Sequence, residues 1–596
     1  MSRKKLRLIL DFLKGSKRYF VLSILMTAVT ALADMINPQI IRATIDNAIG
    51  GSPSEFPAAV ERLVERLGGF AYLGKHLWIP ALGVLCCALI KVAAEYCGQV
   101  QTTKAAETLV KTMRDRLFCH IERLPFGWHM KHRTGDIIQR CTSDIDTVKA
   151  FLSMQLTAIF RIVLMLTLAV VFMLTMHLPL TLIALIPMPL VLGYSLVFHR
   201  KIGKGFRECD ESEGLLSAMA QENLTGVRVV RAFGRERYEK DRFEAHNEEF
   251  TTLWVKLGKV MSRFWNVSDI LSGTQILLIV VFGAVFCYHG TLTSGEYIAF
   301  ISYNSMLVWP IRQLGRMISE LSKAGVSLDR MMEITEAPEE QDAPNAVDAP
   351  MDRDIEFKNV TFGYESGKPV LKDVSFTVQA GTTLGILGGT GSGKSTLIQL
   401  LDKLYPVEEG SITVGGVSLS AIRTQHLRKN IGIVLQEPYL FSRTIAENIG
   451  ITDPAISEEQ IRQAAEAACL HEAVEGFANG YETFVGERGV TLSGGQKQRA
   501  AIARALVQNA PIMVFDDSLS AVDTETDAKI RAALEQRFGT ATVILISHRI
   551  TTLSKADQII VLENGRIAER GTHETLKAAG GIYQKIYETQ SGGAEV

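Results

Sequence analysis

Gly388–Thr396, with the sequence Gly-Gly-Thr-Gly-Ser-Gly-Lys-Ser-Thr, decides the fold of the second half of the chain. It fits the pattern G-x-x-x-x-G-K-[ST], with Gly388, Gly393, Lys394 and Ser395 at the fixed positions. The apolar residues before it are typical of a strand, and those after it are typical of a helix. A chance glycine-rich turn is the alternative, but a turn between a strand and a helix N-terminus favours a phosphate-binding loop.

The residue types of this loop suit a nucleotide and its metal ion. Glycines let backbone N–H groups turn inward and cradle phosphate oxygens. Lys394 can reach the β- and γ-phosphates, and the Ser395 hydroxyl can ligate Mg²⁺. The predicted ATP-binding loop comprises Gly388, Gly389, Thr390, Gly391, Ser392, Gly393, Lys394, Ser395 and Thr396.

Two positions outside the loop fit the same ATP and Mg²⁺. Asp516 ends the apolar run at 512–515, where the carboxylate of a phosphate-loop ATPase holds Mg²⁺. Tyr364 follows a predicted aromatic strand upstream of the loop and could stack on adenine. A core tyrosine is the alternative for Tyr364, because one aromatic residue carries little information by itself.

Composition divides the chain into two parts. At 596 residues it is too long for one ordinary domain, and its net charge of −1 gives no reason to expect nucleic acid as a partner. The eight cysteines lack any C-x-x-C spacing, so we predict neither a disulfide framework nor a metal site. Long apolar runs fill the first part, whereas strand and helix patterns alternate in the second, as in an α/β domain.

Six apolar runs reach the length of about 20 residues that a membrane span requires. They lie near 19–41, 77–98, 152–175, 178–199, 266–288 and 295–316. Residues 1–18 are basic and amphipathic, which predicts a helix on the cytoplasmic membrane surface, with a soluble amphipathic helix as the alternative. Because the next run is long and no cleavage site ends it, we predict a span and not a signal peptide.

Lysine and arginine placement predicts the orientation of the spans. The segments between runs two and three and between runs four and five are rich in both residues, so both should be cytoplasmic. This places both termini and the ATP site in the cytoplasm. Each segment could form a long helical hairpin, with breaks predicted at Pro125–Gly127 and at Glu213–Gly214 and a short transverse helix at each tip.

Polar residues lie within or beside the predicted spans. An ionisable group at membrane depth usually faces a bundle interior or a cavity. For Lys91 and Glu95 we favour snorkelling combined with an i,i+4 pair. For Asp34, Arg161 and Asp269, a contact between helices and a role in a transport path remain equally open. Gln275 and Asn304 are further polar residues within or near the spans.

The most specific motif is Leu492-Ser493-Gly494-Gly495-Gln496, followed by Lys-Gln-Arg. A serine and two glycines at a helix start offer N–H groups for a phosphate. Because the chain already has a loop for its own phosphates, this turn calls for a second nucleotide. Here the sequence resembles the ABC transporter ATPases, and the resemblance covers nearly the whole chain.

The resemblance implies that Leu492–Gln496 faces the ATP bound by a second ABC domain, with two ATP molecules sandwiched head to tail. Six spans before one such domain resemble a half-transporter of the exporter type. By the resemblance, Gln436 senses Mg²⁺, His548 contacts the γ-phosphate, and Ser520 and Asp523 belong to the loop that crosses between the two ATP sites. Glu487 matches the exporter segment that touches the cytoplasmic tips.

One position departs from the family pattern. The usual catalytic residue is a glutamate directly after the magnesium aspartate, and here it is Asp517. Its carboxylate is set back by one methylene, and a general base must come within about 2.6–3.2 Å of the proton that it abstracts. We therefore predict weak hydrolysis at this chain's own site and a heterodimer whose partner supplies the glutamate, with a homodimer as the alternative.

The predicted fold is a six-helix all-α transmembrane domain with long cytoplasmic helical extensions, followed by an α/β phosphate-loop ATPase domain. The predicted boundaries are 1–18 for the amphipathic segment, 19–329 for the transmembrane domain, 330–352 for a linker and 353–596 for the nucleotide-binding domain. The predicted partners are a second half-transporter, the lipid bilayer and a small hydrophobic substrate.

The predicted function is ATP-driven export of a drug, lipid or peptide across the cytoplasmic membrane. The alternatives are an importer with an exporter-like fold, as for metal chelates, an ATP-gated regulator or channel, and a soluble ATPase of the same superfamily acting on DNA or ribosomes. Six spans and an ATPase domain that is not basic argue against the last.

Overall fold

The computed structural model describes residues 11–53, 56–365, 367–518, 526, 528–530, 532–533 and 541–592. The chain forms two compact units. The first comprises Met1–Arg123 and His132–Ala337, and the second comprises Leu124–Lys131 and Pro338–Val596. Most of the predicted N-terminal surface helix, residues 1–10, lies outside the described residues, as does the crossing loop with Ser520 and Asp523.

The first unit is helical throughout its described residues. Its α-helices are Lys17–Ala43, Ala58–Arg66, Gly69–Lys75, Trp78–Ile121, Thr134–Cys141, Ser143–Ala150, Leu156–Met176, Leu178–Leu185, Pro187–Thr225, Val227–Ala232, Glu236–Tyr288 and Ser294–Thr335. Thr44–Ile49 and Phe151–Gln155 are π-helical segments. The last long helix begins at a capping box in which Thr293 and Glu296 satisfy each other's backbone N–H groups.

Five helical segments in the described part of the chain are long and apolar enough to cross a membrane. They are Lys17–Ile49, Trp78–Ile121, Thr134–Met176, Leu178–Thr225 and Glu236–Tyr288. The sixth predicted run lies within Ser294–Thr335, whose apolar stretch is interrupted by Asn304, Arg312 and Gln313. All three side chains are buried inside the unit, so this helix is less apolar because it carries interior polar contacts.

Ion pairs around the buried Asp34 join these helices. Asp34 accepts from Lys91 at 2.7 Å and from Arg161 at 3.1 Å, and Arg161 also lies 3.9 Å from Glu95. The predicted Lys91–Glu95 pair is therefore wrong, because a carboxylate on the neighbouring helix offers Lys91 a more buried partner. Gln275 donates to Asn304 at 2.7 Å, which makes these two an interhelical contact.

Arg312 is a buried cation that the sequence analysis did not single out. Its guanidinium donates to Asp269 at 2.6 Å, to the Ser272 hydroxyl at 3.0 Å and to the Ser268 carbonyl at 2.9 Å. These three bonds satisfy a charge that would otherwise be costly to bury. A lone arginine within an apolar run was the signal that could have identified it.

Of the two predicted helix breaks in the cytoplasmic segments, one is confirmed and the other is wrong. The break at Pro125–Gly127 is confirmed, because Trp78–Ile121 ends there and a short helix, Phe126–Lys131, follows. The break at Glu213–Gly214 is wrong, because Pro187–Thr225 runs through it without interruption. The chain turns instead at Gly226, before the short helix Val227–Ala232. A single helical glycine costs only about 1 kcal/mol, and Leu216 and Met219 are buried just after it.

The second unit is an α/β domain with two sheets. We number its strands β1 to β10 in chain order. They are Ile355–Phe362, Leu371–Val378, Thr383–Gly388, Glu409–Val414, Val417–Ser418, Ile431–Val434, Ile512–Asp516, Thr542–Ile546, Gln558–Glu563 and Arg566–Gly571. An antiparallel sheet has the order β2-β1-β4-β5, and a larger sheet has the order β10-β9-β3-β8-β7-β6. In the larger sheet only the β10–β9 pair is antiparallel.

Helices cover the larger sheet and bury its aliphatic strands. The α-helices of this unit are Phe126–Lys131, Lys394–Leu401, Thr424–Lys429, Ile445–Ile449, Glu458–Ala467, His471–Glu475, Gly494–Val507, Ile550–Leu553, His573–Ala578 and Ile582–Gly592. Strands β3 and β7 are nearly continuous apolar runs because both of their faces are covered.

Most of the predicted linker, 330–352, is not a separate connecting segment. Residues 330–335 continue the helix Ser294–Thr335, whereas residues from Pro338 onward belong to the second unit. Arg428 forms a two-pronged ion pair with Glu340 at 2.8 and 2.9 Å, and Asp342 accepts from Thr424 and Lys403. The segment thus packs as part of the α/β domain.

Asp402, at the end of the helix after the phosphate loop, provides a test of stability against pH. Burial raises the pKa of its carboxyl to about 6, with Arg428 opposing and Glu340 reinforcing the rise. A folded pKa above the unfolded value means that stability is fully present below about pH 4 and is lost as the pH rises through about 6. Asp402→Asn should therefore stabilise this domain by roughly 2 kcal/mol above pH 6 and hardly change it at pH 4.

Thermal melting of the purified chain across this pH range measures the effect. Asp352→Asn, at an exposed position of the same domain, is the matched control and should leave the melting temperature unchanged. A lower melting temperature for Asp402→Asn at neutral pH would show that the ionised carboxylate is stabilising.

Candidate functional site

The topology of the larger sheet brings four separate sequence segments to one edge. Strands β3, β8, β7 and β6 are neighbours and run parallel, so their carboxyl ends lie side by side. The residues that follow them are the phosphate loop, His548, the Asp516–Asp517 pair and Gln436. In open parallel sheets, ligands bind at this edge. The fold therefore gathers the predicted ATP-site residues at one place.

The phosphate loop has the open backbone that an anion requires. Gly391 and Gly393 have φ of 78° and 102°, a conformation that residues with side chains rarely adopt. A Cβ atom placed on Gly389 or Gly391 would meet nothing within 4 Å, so the space beside these two residues is open. Among the described residues, the buried Ser392 hydroxyl has no hydrogen-bond partner. These features fit a bound phosphate.

Lys394 is held within the loop by its own backbone. Its Nζ donates to the Gly388 carbonyl at 2.8 Å and to the Gly389 carbonyl at 2.7 Å. Burial lowers the pKa of Lys394, and the Asp516 and Asp517 carboxylates oppose this effect. The ammonium group therefore lies beside the space where phosphates would enter and gains an anionic partner if they do.

Ser395 and Asp516 form the pair that suits Mg²⁺. The Ser395 hydroxyl donates to Asp516 Oδ2 at 2.9 Å. Burial raises the pKa of Asp516, whereas the Ser395 hydrogen bond and the Lys394 and His548 charges lower it. A hydroxyl and a carboxylate beside a phosphate cradle are the hard oxygen ligands that Mg²⁺ prefers, so these residues fit the ion.

Asp517 has an unusual backbone for a non-glycine residue. Its φ is 45°, and its N–H donates to the Ile546 carbonyl at 2.9 Å. Left-handed backbone at a residue with a side chain is found preferentially at functional sites. The hydrogen bond to Ile546 ties the turn after β7 to the end of β8.

Tyr364 lies close to the loop and is not a core residue. Its hydroxyl is 3.0 Å from the Thr396 hydroxyl and donates to Gln399 at 2.7 Å. The residue is 45% exposed, which excludes the core alternative and leaves the ring available for stacking. Tyr405 packs edge-on against it, with ring centroids 5.2 Å apart.

The signature Leu492–Gln496 begins a helix. Ser493 is the N-cap of Gly494–Val507, and its backbone and hydroxyl form a capping box with Gln496. A Cβ atom on Gly494 would meet nothing within 4 Å, so the turn is open on its outer side. On the same helix, Gln498 donates to the Leu435 carbonyl, directly before Gln436, at 3.3 Å.

The remaining predicted residues lie on the surface of the domain. Gln436, Glu487 and His548 are exposed. The sequence analysis missed Gln498, Tyr405 and Gln590, which contact predicted site residues or the segments that carry them. Nothing in the sequence pattern marks these residues, because their roles arise from packing between distant segments.

Comparison with known proteins identifies the family. Residues 20–311 match the model of the ABC transporter transmembrane region, and residues 371–520 match the ABC transporter model. The chain belongs to the ABC transporter family. A relative from Bacillus subtilis (strain 168), "Probable multidrug resistance ABC transporter ATP-binding/permease protein YheI", is 34% identical over 96% of this chain and 95% of its own length.

A second relative and a solved structure are also similar over nearly the whole chain. The "ATP-dependent lipid A-core flippase" of Saccharophagus degradans (strain 2-40 / ATCC 43961 / DSM 17024) is 30% identical over 96% of both chains. A solved structure of a bacterial Atm1-family ABC exporter with ATP bound is similar with a TM-score of 0.79 and 26% identity, covering 96% of this chain and 98% of that one.

This ABC transporter is a membrane protein with a helical transmembrane domain followed by an α/β nucleotide-binding domain, as predicted. Its second unit binds ATP, and the chain is an ATPase coupled to transport, of the exporter type. ABC half-transporters of this type work as dimers.

Proposed function

We propose that this chain moves a hydrophobic or amphipathic substrate (a drug, lipid or peptide) outward across the cytoplasmic membrane, as one half of a heterodimeric exporter. Both termini and the ATP site lie in the cytoplasm in this proposal. The printed names of the relatives, multidrug resistance and lipid A-core flippase, support the substrate class. The alternative is an importer with the same fold, and the direction of transport distinguishes the two.

The observation that carries the proposal is the arrangement at the edge of the larger sheet. Ser395 and Asp516, 2.9 Å apart, would hold Mg²⁺, which neutralises charge on the phosphates. Lys394 would leave the Gly388 and Gly389 carbonyls for the β- and γ-phosphates, and Tyr364 would stack on adenine. His548 would contact the γ-phosphate, Gln436 would sense the metal, and Asp517 would orient the attacking water weakly.

Accumulation in inside-out membrane vesicles tests the direction. A fluorescent amphiphile should accumulate inside the vesicles when ATP is added and should not accumulate with a nonhydrolysable analogue. Loss of preloaded amphiphile on ATP addition would instead support the importer. ATP-dependent ion conductance without accumulation would support the gated regulator or channel.

The first tip packs within the α/β unit, close to the predicted adenine contact. Leu124–Lys131 belongs to the compact α/β unit, and the Phe126 ring packs edge-on against Tyr405 with centroids 5.6 Å apart. Tyr405 in turn contacts Tyr364, whose hydroxyl contacts the phosphate-loop helix. A change at adenine can therefore reach Phe126 through two ring contacts.

Phe126→Ala should uncouple transport from hydrolysis. Removing an aromatic pair costs about 1 kcal/mol beyond lost burial, so transport per ATP hydrolysed should fall several-fold while ATP binding is retained. Vesicle transport and ATPase rate, measured on the same preparation, give this ratio. Phe126→Tyr keeps the ring and is the matched control.

A disulfide provides an independent check of the same contact. Phe126→Cys with Tyr405→Cys, in a background without native cysteines, should crosslink and block transport while nucleotide still binds. Failure to crosslink in every nucleotide state would contradict this docking of the tip.

A further inference from the structure

We propose that Gln590 is a positioning residue for His548, which rests on the γ-phosphate contact proposed above for His548. The Gln590 amide forms hydrogen bonds with the backbone on either side of Arg549, at His548 and at Ile550. Its Nε2 donates to the His548 carbonyl at 2.7 Å, and its Oε1 accepts from the Ile550 N–H at 2.9 Å. Gln590 lies in the helix Ile582–Gly592, far from His548 in the sequence.

The chemistry of an amide suits this position. A carboxamide presents an acceptor and a donor side by side, which matches a carbonyl and an N–H two residues further along the backbone. Ile550 begins the helix Ile550–Leu553, and its N–H is one of the helix-terminal donors that no carbonyl of the same helix can reach. Gln590 therefore satisfies a donor that the fold leaves open and holds the adjacent carbonyl at the same time.

The segment that Gln590 holds has just left the sheet. Strand β8 ends at Ile546, and on its entry side the backbone is fixed because the Ser547 N–H donates to the Ile386 carbonyl at 3.3 Å. The Ser547 hydroxyl accepts from the Arg549 N–H at 3.0 Å. The two bonds to Gln590 fix the exit side, so the exposed His548 side chain projects from a backbone held at both ends.

The helix that carries Gln590 is firmly attached to the domain. Tyr583 is fully buried, and its hydroxyl lies 2.7 Å from His573 Nδ1. The Glu569 carboxylate accepts from the N–H groups of Ile582 and Tyr583, at the start of the helix. Because this helix is anchored, Gln590 restrains the His548 backbone before a phosphate binds. Less conformational entropy is then lost when His548 contacts the phosphate.

The test compares recognition of ATP with recognition of ADP, because only ATP carries the γ-phosphate. The assembled transporter is labelled with a photoreactive ATP analogue, and label on this chain is competed with ATP or with ADP. Gln590→Leu should weaken competition by ATP about tenfold, as expected for two ordinary hydrogen bonds, and leave competition by ADP unchanged. Gln590→Glu keeps the acceptor for the Ile550 N–H but sets a carboxylate oxygen against the His548 carbonyl, so it should also weaken competition by ATP and leave competition by ADP unchanged.

Two further variants distinguish failure of the Gln590 proposal from failure of the proposed role of His548. Gln584→Leu is the matched control, because Gln584 lies on the same helix and its amide donates only to the exposed Glu588, at 2.7 Å, among the bonds described. It should change neither competition. His548→Ala should weaken ATP competition alone, and if it does not, the proposed role of His548 fails. If His548→Ala has this effect and Gln590→Leu has none, or weakens ATP and ADP equally, the positioning role is wrong.

Discussion

Lys394→Ala should weaken ATP binding at this chain's own site by roughly 100-fold, because it removes the cation proposed to donate charged hydrogen bonds to the β- and γ-phosphates. In the structure the Lys394 ammonium rests on the carbonyls of Gly388 and Gly389, inside an open phosphate cradle. Burial lowers the pKa of this lysine, so a phosphate at the loop would relieve an unfavourable environment for its charge. Labelling of this chain by a photoreactive ATP analogue should fall accordingly.

The matched control for this prediction is Lys358→Ala. Lys358 lies on β1, and its only described partner is the surface carboxylate of Glu356, 3.0 Å away, a kind of pair that contributes little. Turnover and labelling should be unchanged in the control. Unchanged labelling in Lys394→Ala, with an unchanged melting temperature, would contradict the assignment of the loop as the ATP site.

Gly494→Val should abolish most of the transporter's activity without disturbing this chain. A side chain at Gly494 meets nothing within 4 Å here, and the backbone is that of an ordinary helix start. The open space is where the resemblance places a phosphate of the ATP bound by the partner. A branched side chain would keep that phosphate from the N–H groups, and turnover should fall about 100-fold.

Three measurements separate this effect from misfolding. The melting temperature should be unchanged, and labelling of this chain's own site should be retained. Gly494→Ala, with one methyl group, should be less severe. If Gly494→Val had full turnover in the assembled transporter, the signature of this chain would not form part of a working ATP site.

Much of the ATP site could be predicted because its chemistry depends on short motifs. Gly388–Thr396 follows β3 and Asp516 ends β7, two strands that run parallel on either side of β8, so a motif and a strand pattern were enough to place their carboxyl ends at the same edge. The contacts of Tyr405 and Gln590 could not be predicted, because they join segments whose relative positions only the fold determines. For the same reason the partner of Lys91 was misassigned to its own helix.

The transmembrane unit shows a different limit. The apolar runs could be found from the sequence, because their length depends on composition alone. The positions of the helix breaks could not be predicted from glycine residues. Gly214 lies within an uninterrupted helix, whereas the chain turns at Gly226. The difference lies in burial of Leu216 and Met219 just after Gly214, which a single sequence does not reveal.

We propose that this chain forms one half of an asymmetric pair, because its signature is complete while Asp517 stands where the family has a glutamate. The Asp517 N–H is bonded to the Ile546 carbonyl, and we expect the carboxylate of Asp517 to lie farther from an attacking water than that of a glutamate, because its side chain is one methylene shorter. Asp517→Asn should then reduce turnover only modestly, whereas a glutamine in place of the partner's glutamate should nearly abolish it.

The most direct test is native mass measurement of the complex purified through a tag on this chain from its own cells. We expect one copy of this chain with one different ABC half-transporter that carries a glutamate after its magnesium aspartate. Two copies of this chain, with rapid ATPase activity that Asp517→Asn abolishes, would contradict it.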